Sequence, residues 1–234
     1  MEDISSDLNE ATRGKNHVIL ENDNEKNKLI LSKEYKENFY GNESSIISKN
    51  FYSQVVSIYS CQCSHELYAF QFMLDFPLLL PENIFKLDLM ELLEYNFTSE
   101  KIDFGTKYSK CNKICSHLKQ LKIALPPNIL ILSLQRFNRS TNKKNNCFVK
   151  FPEILSISNF IDQDYGFEGD ATYILYAIIN HVGTISSGHY YSYVKIMNSQ
   201  DYKWYEFNDD KVVDLGYELK ENPYLYSLFY VKKK

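Results

Sequence analysis

The residues best suited to chemistry lie in two stretches, Gly188-His189-Tyr190-Tyr191-Ser192-Tyr193 and Trp204-Tyr205-Glu206-Phe207-Asn208-Asp209-Asp210. Both are rich in aromatic residues and read as strands. As neighbours in an antiparallel pair, they bring His189, at the start of one, opposite Asn208 or Asp209, at the end of the other. An amide or carboxylate that engages one imidazole nitrogen fixes the tautomer. The other nitrogen is then left to take a proton from a thiol. Gly188 leaves room for a substrate backbone to pass close to the ring. Spacing alone equally admits a plainer reading, a hydrogen-bonded rim histidine beside a turn that starts at Asn208-Asp209.

A second group is Cys61-Gln62-Cys63 with Cys111-Asn112-Lys113-Ile114-Cys115. The chain has five cysteines, an odd number, and in a compartment where thiols stay reduced this favours metal binding or catalysis over disulfides. Two such pairs suggest a four-thiolate zinc site, which would be structural because protein fills every position. The spacing is awkward: zinc holds each sulfur at about 2.3 Å, whereas residues i and i+2 of a flat strand are about 6.6 Å apart. The thiols must lean inward, or His65 must replace one; the alternative is four buried thiols without metal. Cys147 has no partner cysteine nearby and reads as a small core or edge residue.

The elements that must position these groups follow from periodicity and breakers. Residues 1–50 are polar, rich in Asn, Glu, Lys and Ser, with apolar islands at Val18-Ile19-Leu20 and Leu29-Ile30-Leu31 but no sustained period. They read as a mobile lead-in. From Phe51 the character changes, with strands expected at Tyr52 to Ser60 and within Leu67 to Leu80. Leu87, Met90, Leu93 and Phe97 recur at helical spacing and predict a helix over about 84–96, with Asn83 as cap. After Pro126-Pro127, strands are expected at 128–137, 148–155, 173–182, 189–196, 203–208 and 225–232. The class is α+β with a mainly antiparallel sheet and no internal repeat.

At 234 residues there is room for one body and a small subdomain. Hydrophobic residues make up 44% and aromatics 15%, which places the chain among folded, strand-rich proteins rather than disordered ones. A net charge of −4 argues against the basic face that nucleic acid requires. The sequence opens Met1-Glu2-Asp3-Ile4, acidic where a secretory signal is basic, and no apolar run approaches the roughly 20 residues that span a bilayer. The expectation is a cytoplasmic or nuclear protein with neither nucleic acid nor membrane as partner.

Five blocks decide between the readings of His189. LPPNILILSLQRF (125–137), CFVKFPEIL (147–155), ILYAIINHVGTISSGHYYSYVK (174–195), KWYEFNDDKV (203–212) and PYLYSLFYVKK (223–233) resemble, in order, the C-terminal half of the ubiquitin-specific protease family. The resemblance implies a papain-like cysteine peptidase of fingers, palm and thumb that cleaves the bond after the terminal glycine of ubiquitin. It further implies His189 as general base, Asn208 as the residue that orients it and Asp209 as a neighbouring candidate for that role. Gly188, Tyr190 and His181 fall at the site entrance, facing substrate, with His181 also readable as structural. The fingers would span about 51–120, with structural zinc at Cys61, Cys63, Cys111 and Cys115, and the palm about 121–234. The family spaces its zinc cysteines as two C-x-x-C pairs, whereas here one pair is C-x-C and the other C-x-x-x-C. No catalytic cofactor is implied, and ubiquitin or ubiquitinated proteins are the expected partners.

The family's nucleophile motif, Gly-Asn-x-Cys-Tyr, and its Gln-Gln-Asp-Ala-His-Glu stretch further along do not occur in the sequence. Gly41-Asn42-Glu43-Ser44 imitates the first, but too little chain separates it from the strand at Phe51 to hold the helical thumb. The sequence therefore reads as a partial catalytic domain without its thumb. Two expectations follow: a deubiquitinase whose thumb-bearing segment is supplied elsewhere, or an inactive ubiquitin-binding pseudoenzyme or scaffold.

Overall fold

The computed structural model describes residues 27–61, 66–107, 114–138, 143–184, 187–197, 201–219 and 222–233. The first part runs α1 (Lys28–Asn42), α2 (Ile46–Phe51), β1 (Ser53–Cys61), β2 (Glu66–Met73), β3 (Phe76–Leu79), β4 (Lys86–Asp88), α3 (Leu89–Phe97), β5 (Glu100–Lys107) and β6 (Ile114–Leu125). The second runs β7 (Ile129–Gln135), β8 (Phe137–Asn138), β9 (Lys143–Lys144), β10 (Phe148–Lys150), β11 (Ile154–Ser156), β12 (Thr172–Gly183), β13 (Gly188–Met197), β14 (Tyr202–Asn208), β15 (Lys211–Gly216) and β16 (Leu225–Lys232). These elements form two compact units that interleave along the chain: Asp75–Asn96 belongs with the second unit and Ile157–Ala171 with the first.

The first unit is a four-stranded sheet, ordered β2-β1-β6-β5, with α1 and α2. Asn27 caps α1 by accepting from the Leu29 N–H, which satisfies a donor left open in the first turn. Leu31 and Tyr35, one turn apart, are buried with Val56, Ile58, Phe70 and Tyr165, and the Tyr35 ring stacks on Phe70 and Phe72. Ser45 and Ser48 close a capping box on α2. The expectation of a mobile lead-in without a sustained period is therefore corrected for residues 28–50, which hold α1 and most of α2. Its cause is local: Leu29, Ile30 and Leu31 run consecutively and mask the narrow stripe that α1 buries.

The second unit is built on an eight-stranded sheet, ordered β15-β14-β13-β12-β16-β7-β3, with β11 also on β12. Leu130, Leu132 and Leu134 of β7, Leu228 and Tyr230 of β16, and Tyr173, Leu175 and Ile178 of β12 are buried, so the central strands form its apolar middle. The β3–β7 pair is parallel, the others antiparallel. The helix expected from residue 84 begins at Leu89, a second correction. Asn83 sits in the left-handed region as a turn residue (φ 60°), and Leu87 lies in β4, which pairs with β10. The Glu91 carboxylate accepts from the Asp88 N–H and so marks the true start of α3. β15 was not expected; it forms an edge strand, with its first four residues exposed.

Candidate active site

β12, β13 and β14 are consecutive antiparallel neighbours, so the ends of all three meet at one edge of the second unit. Gly183 pairs with Gly188 across the β12–β13 hairpin, and Val182 pairs with His189. The β13–β14 ladder ends at Ser192 and Phe207, so the side chains of His189 and Asn208 meet where these two strands no longer pair.

His189 Nε2 lies 2.7 Å from Asn208 Oδ1. The amide is oriented by a further bond, from Asn208 Nδ2 to Glu206 Oε1 at 3.2 Å. With Nδ2 committed to Glu206, Oδ1 faces the ring as an acceptor, so Nε2 carries the proton. Nδ1 keeps its lone pair and is the nitrogen left to act as base. The His189 side chain is about half exposed, at 48%, so that lone pair is within reach of a partner. Asp209 Oδ2 is farther from Nε2, at 3.9 Å, on a side chain that is 76% exposed. It occupies the first of the two turn residues between β14 and β15 and takes a positive φ of 52°. Of the two orienting candidates, Asn208 is thus the one in hydrogen-bond contact.

The remaining candidates surround a second histidine. His181 is 3% exposed, and its backbone N–H donates to Tyr224 O. Burial fits a supporting position and corrects the expectation that it faces substrate. Its ring lies 4.5 Å from that of Tyr190 and 5.4 Å from that of Phe137, centroid to centroid. A Cβ on Gly188 would overlap His181 Nε2 and Cε1, so a glycine is needed there to admit this ring. Tyr190 is half exposed and meets Tyr226 edge-on. Lys144 Nζ reaches His181 Nδ1 at 3.1 Å. Burial first, and Lys144 second, hold His181 below the ordinary histidine pKa.

Glu206 and Lys144 are site residues that sequence reasoning missed. Glu206 carried a usable signal, because residues two apart on a strand share a face with Asn208. Lys144 carried none, since it arrives from another hairpin. Cys147 is buried as expected, and burial raises its thiol pKa against the opposing pull of Arg136. Arg136, itself buried, donates from Nε to Leu225 O and from Nη1 to Asn145 O and Cys147 O; burial pulls its pKa down to about 10. The zinc expectation falls outside the described residues: Cys63, Cys111 and His65 entirely, and the side chains of Cys61 and Cys115.

Residues 1–230 match the model of the ubiquitin carboxyl-terminal hydrolase family. The chain belongs to that family. It is 34% identical over 158 residues to ubiquitin carboxyl-terminal hydrolase 8 of Saccharomyces cerevisiae, which covers 62% of this chain and 32% of that protein. To ubiquitin carboxyl-terminal hydrolase 23 of Arabidopsis thaliana it is 30% identical over 196 residues, covering 81% of this chain and 22% of the relative. The solved SAGA DUB module of Ubp8, Sgf11, Sus1 and Sgf73 bound to ubiquitin aldehyde matches with a TM-score of 0.69 at 30% identity, over 82% of this chain and 43% of the matched chain. The same module bound to monoubiquitin gives 0.70. The chain thus spans a third or less of the two relatives' lengths. The resemblance drawn from the five sequence blocks is shown, and with it a deubiquitinase family of thiol proteases.

Proposed function

We propose that the chain carries the base-bearing half of a deubiquitinating site, with the nucleophilic cysteine on a segment not contained in these 234 residues. The observation that supports this most directly is the bond from His189 Nε2 to Asn208 Oδ1 at 2.7 Å, which leaves Nδ1 free. In the proposed reaction the thiol proton passes to His189 Nδ1 and the sulfur attacks the carbonyl carbon of the terminal glycine of ubiquitin. As the C–N bond breaks, Nδ1–H gives its proton to the leaving amine. Water then enters by the same base and splits the thioester, which restores the thiol. Asn208 holds Nε2–H throughout, and Glu206 fixes the amide.

The chain alone is expected to bind ubiquitin without cutting it. Incubated with ubiquitin bearing a thiol-reactive C-terminus, it should show no covalent adduct by intact mass, while titration with unmodified ubiquitin shows saturable binding. An adduct at Cys147 that disappears in His189→Ala contradicts the assignment of an outside nucleophile. Absence of any ubiquitin binding contradicts the proposed substrate.

A further inference from the structure

Lys144 is delivered by the short β8–β9 pair, where it sits opposite Phe137. Its Nζ lies 3.1 Å from His181 Nδ1, 2.9 Å from His181 O and 3.3 Å from Gly183 O. An ammonium has three protons and no lone pair, so it donates to all three and Nδ1 must accept. His181 is thereby held neutral, with its proton on Nε2. That nitrogen is the atom packed on Gly188, which pairs with Gly183 and directly precedes His189. The rings of Phe137, Tyr190 and Tyr226 close around His181 and keep its plane fixed. One cation therefore ties together the end of β12, the ring beneath Gly188 and, through the backbone, the start of β13.

We propose that Lys144 is a positioning residue: it locks His181 and the Gly183 end of the hairpin so that His189 keeps its bond to Asn208. The catalytic purpose of this lock rests on the reading of His189 as the base, but the lock itself is independent of that reading. Among the described residues, the titratable groups that face His181 are Lys144, Tyr190 and Tyr226, while Arg136 acts on Lys144.

The test uses the whole 234-residue chain with nitrogen-15 histidine and reads ring-nitrogen NMR signals against pH. In the unaltered chain, His181 should carry its proton on Nε2 and titrate below an ordinary histidine. In Lys144→Met its two tautomers should mix and its midpoint should rise. Exchange of the Thr184 amide, which donates to Ser187 O in this turn, should become about tenfold faster with the charged donor gone. Lys144→Gln, which keeps a donor without the charge, should move in the same direction by less. A proton on Nδ1 of His181 in the unaltered chain overturns the proposal, as do unchanged His181 signals and Thr184 exchange in both variants. Loss of the folded spectrum in both also overturns it, since Lys144 would then be a global support rather than a local lock. These readings need no ubiquitin: the expected spectra, together with equal cleavage by His189 and His189→Ala forms of a chain supplied with the nucleophile, leave the lock and remove its catalytic purpose, and the reverse leaves His189 and removes the lock.

Discussion

Exposed histidines are usually unconstrained, and His189 is not: a chain of two bonds, Glu206 to Asn208 to His189, sets both its tautomer and its direction. Removal of the amide frees the ring to rotate, and a misplaced catalytic group of this kind costs on the order of 10²-fold in rate. Asn208→Ala, measured by steady-state cleavage in a form of the chain supplied with the nucleophile, should therefore lower kcat by about that factor with little change in KM. An equal rise in KM alone would mean that Asn208 touches ubiquitin rather than His189. The His189–Asn208 pair could be drawn from the sequence because both residues lie at the ends of aromatic strands, and the family resemblance then chose it over a plain rim histidine. Spacing did not separate Asn208 from Asp209, because the choice turns on a positive φ at Asp209 that no side-chain pattern encodes.

Among the elements, the strands that carry the site follow the sequence closely, since β12, β13, β14 and β16 are long, aromatic and bounded by breakers. The helices were less legible. α1 buries only Leu31, Ser32 and Tyr35, too few positions to mark a period over its 15 residues. Its anchorage is nonetheless real: Leu31 is 1% exposed, and Leu31→Ala should cost about 3 kcal/mol in urea unfolding of the chain. A loss below about 0.5 kcal/mol, as at a surface position, would show that α1 does not dock on the sheet. At the β12–β13 hairpin, the prediction concerns pH. His181 has a folded pKa below its unfolded value, so the unfolded chain binds the extra proton first. The stability due to neutral His181 is fully present above the unfolded histidine value of about 6.5 and is lost as pH falls through the lower folded value. Urea midpoints measured downward from pH 7.5 should fall in that window, and His181→Asn should flatten this part of the curve; an unchanged slope would place the acid sensitivity elsewhere.

At the scale of the molecule, the fold provides two separate units, of which the second alone carries His189, Asn208, Glu206, His181 and Lys144. That concentration explains why family membership was readable from residues 125–233, whose blocks fall mainly on β7, β11, β12, β13, β14 and β16 of one sheet and on β10, which pairs with β4. Among the described residues, no helix is long and apolar enough to cross a membrane. What the sequence left unread is long-range: the partition of Asp75–Asn96 with the second unit, and the approach of Lys144 to His181, both depend on contacts between segments far apart in the chain. If His189 is the base of a ubiquitin-cleaving thiol site, supplying the nucleophile should produce cleavage that depends on it. A family segment that carries the Gly-Asn-x-Cys motif is joined ahead of the chain, and release of a fluorescent amine from the C-terminus of ubiquitin is followed with and without His189→Ala. Release by the joined protein is expected, with a loss of at least about 10³-fold in His189→Ala. Equal release by both forms, or none from a folded joined protein that binds ubiquitin, would contradict the role of His189 as base.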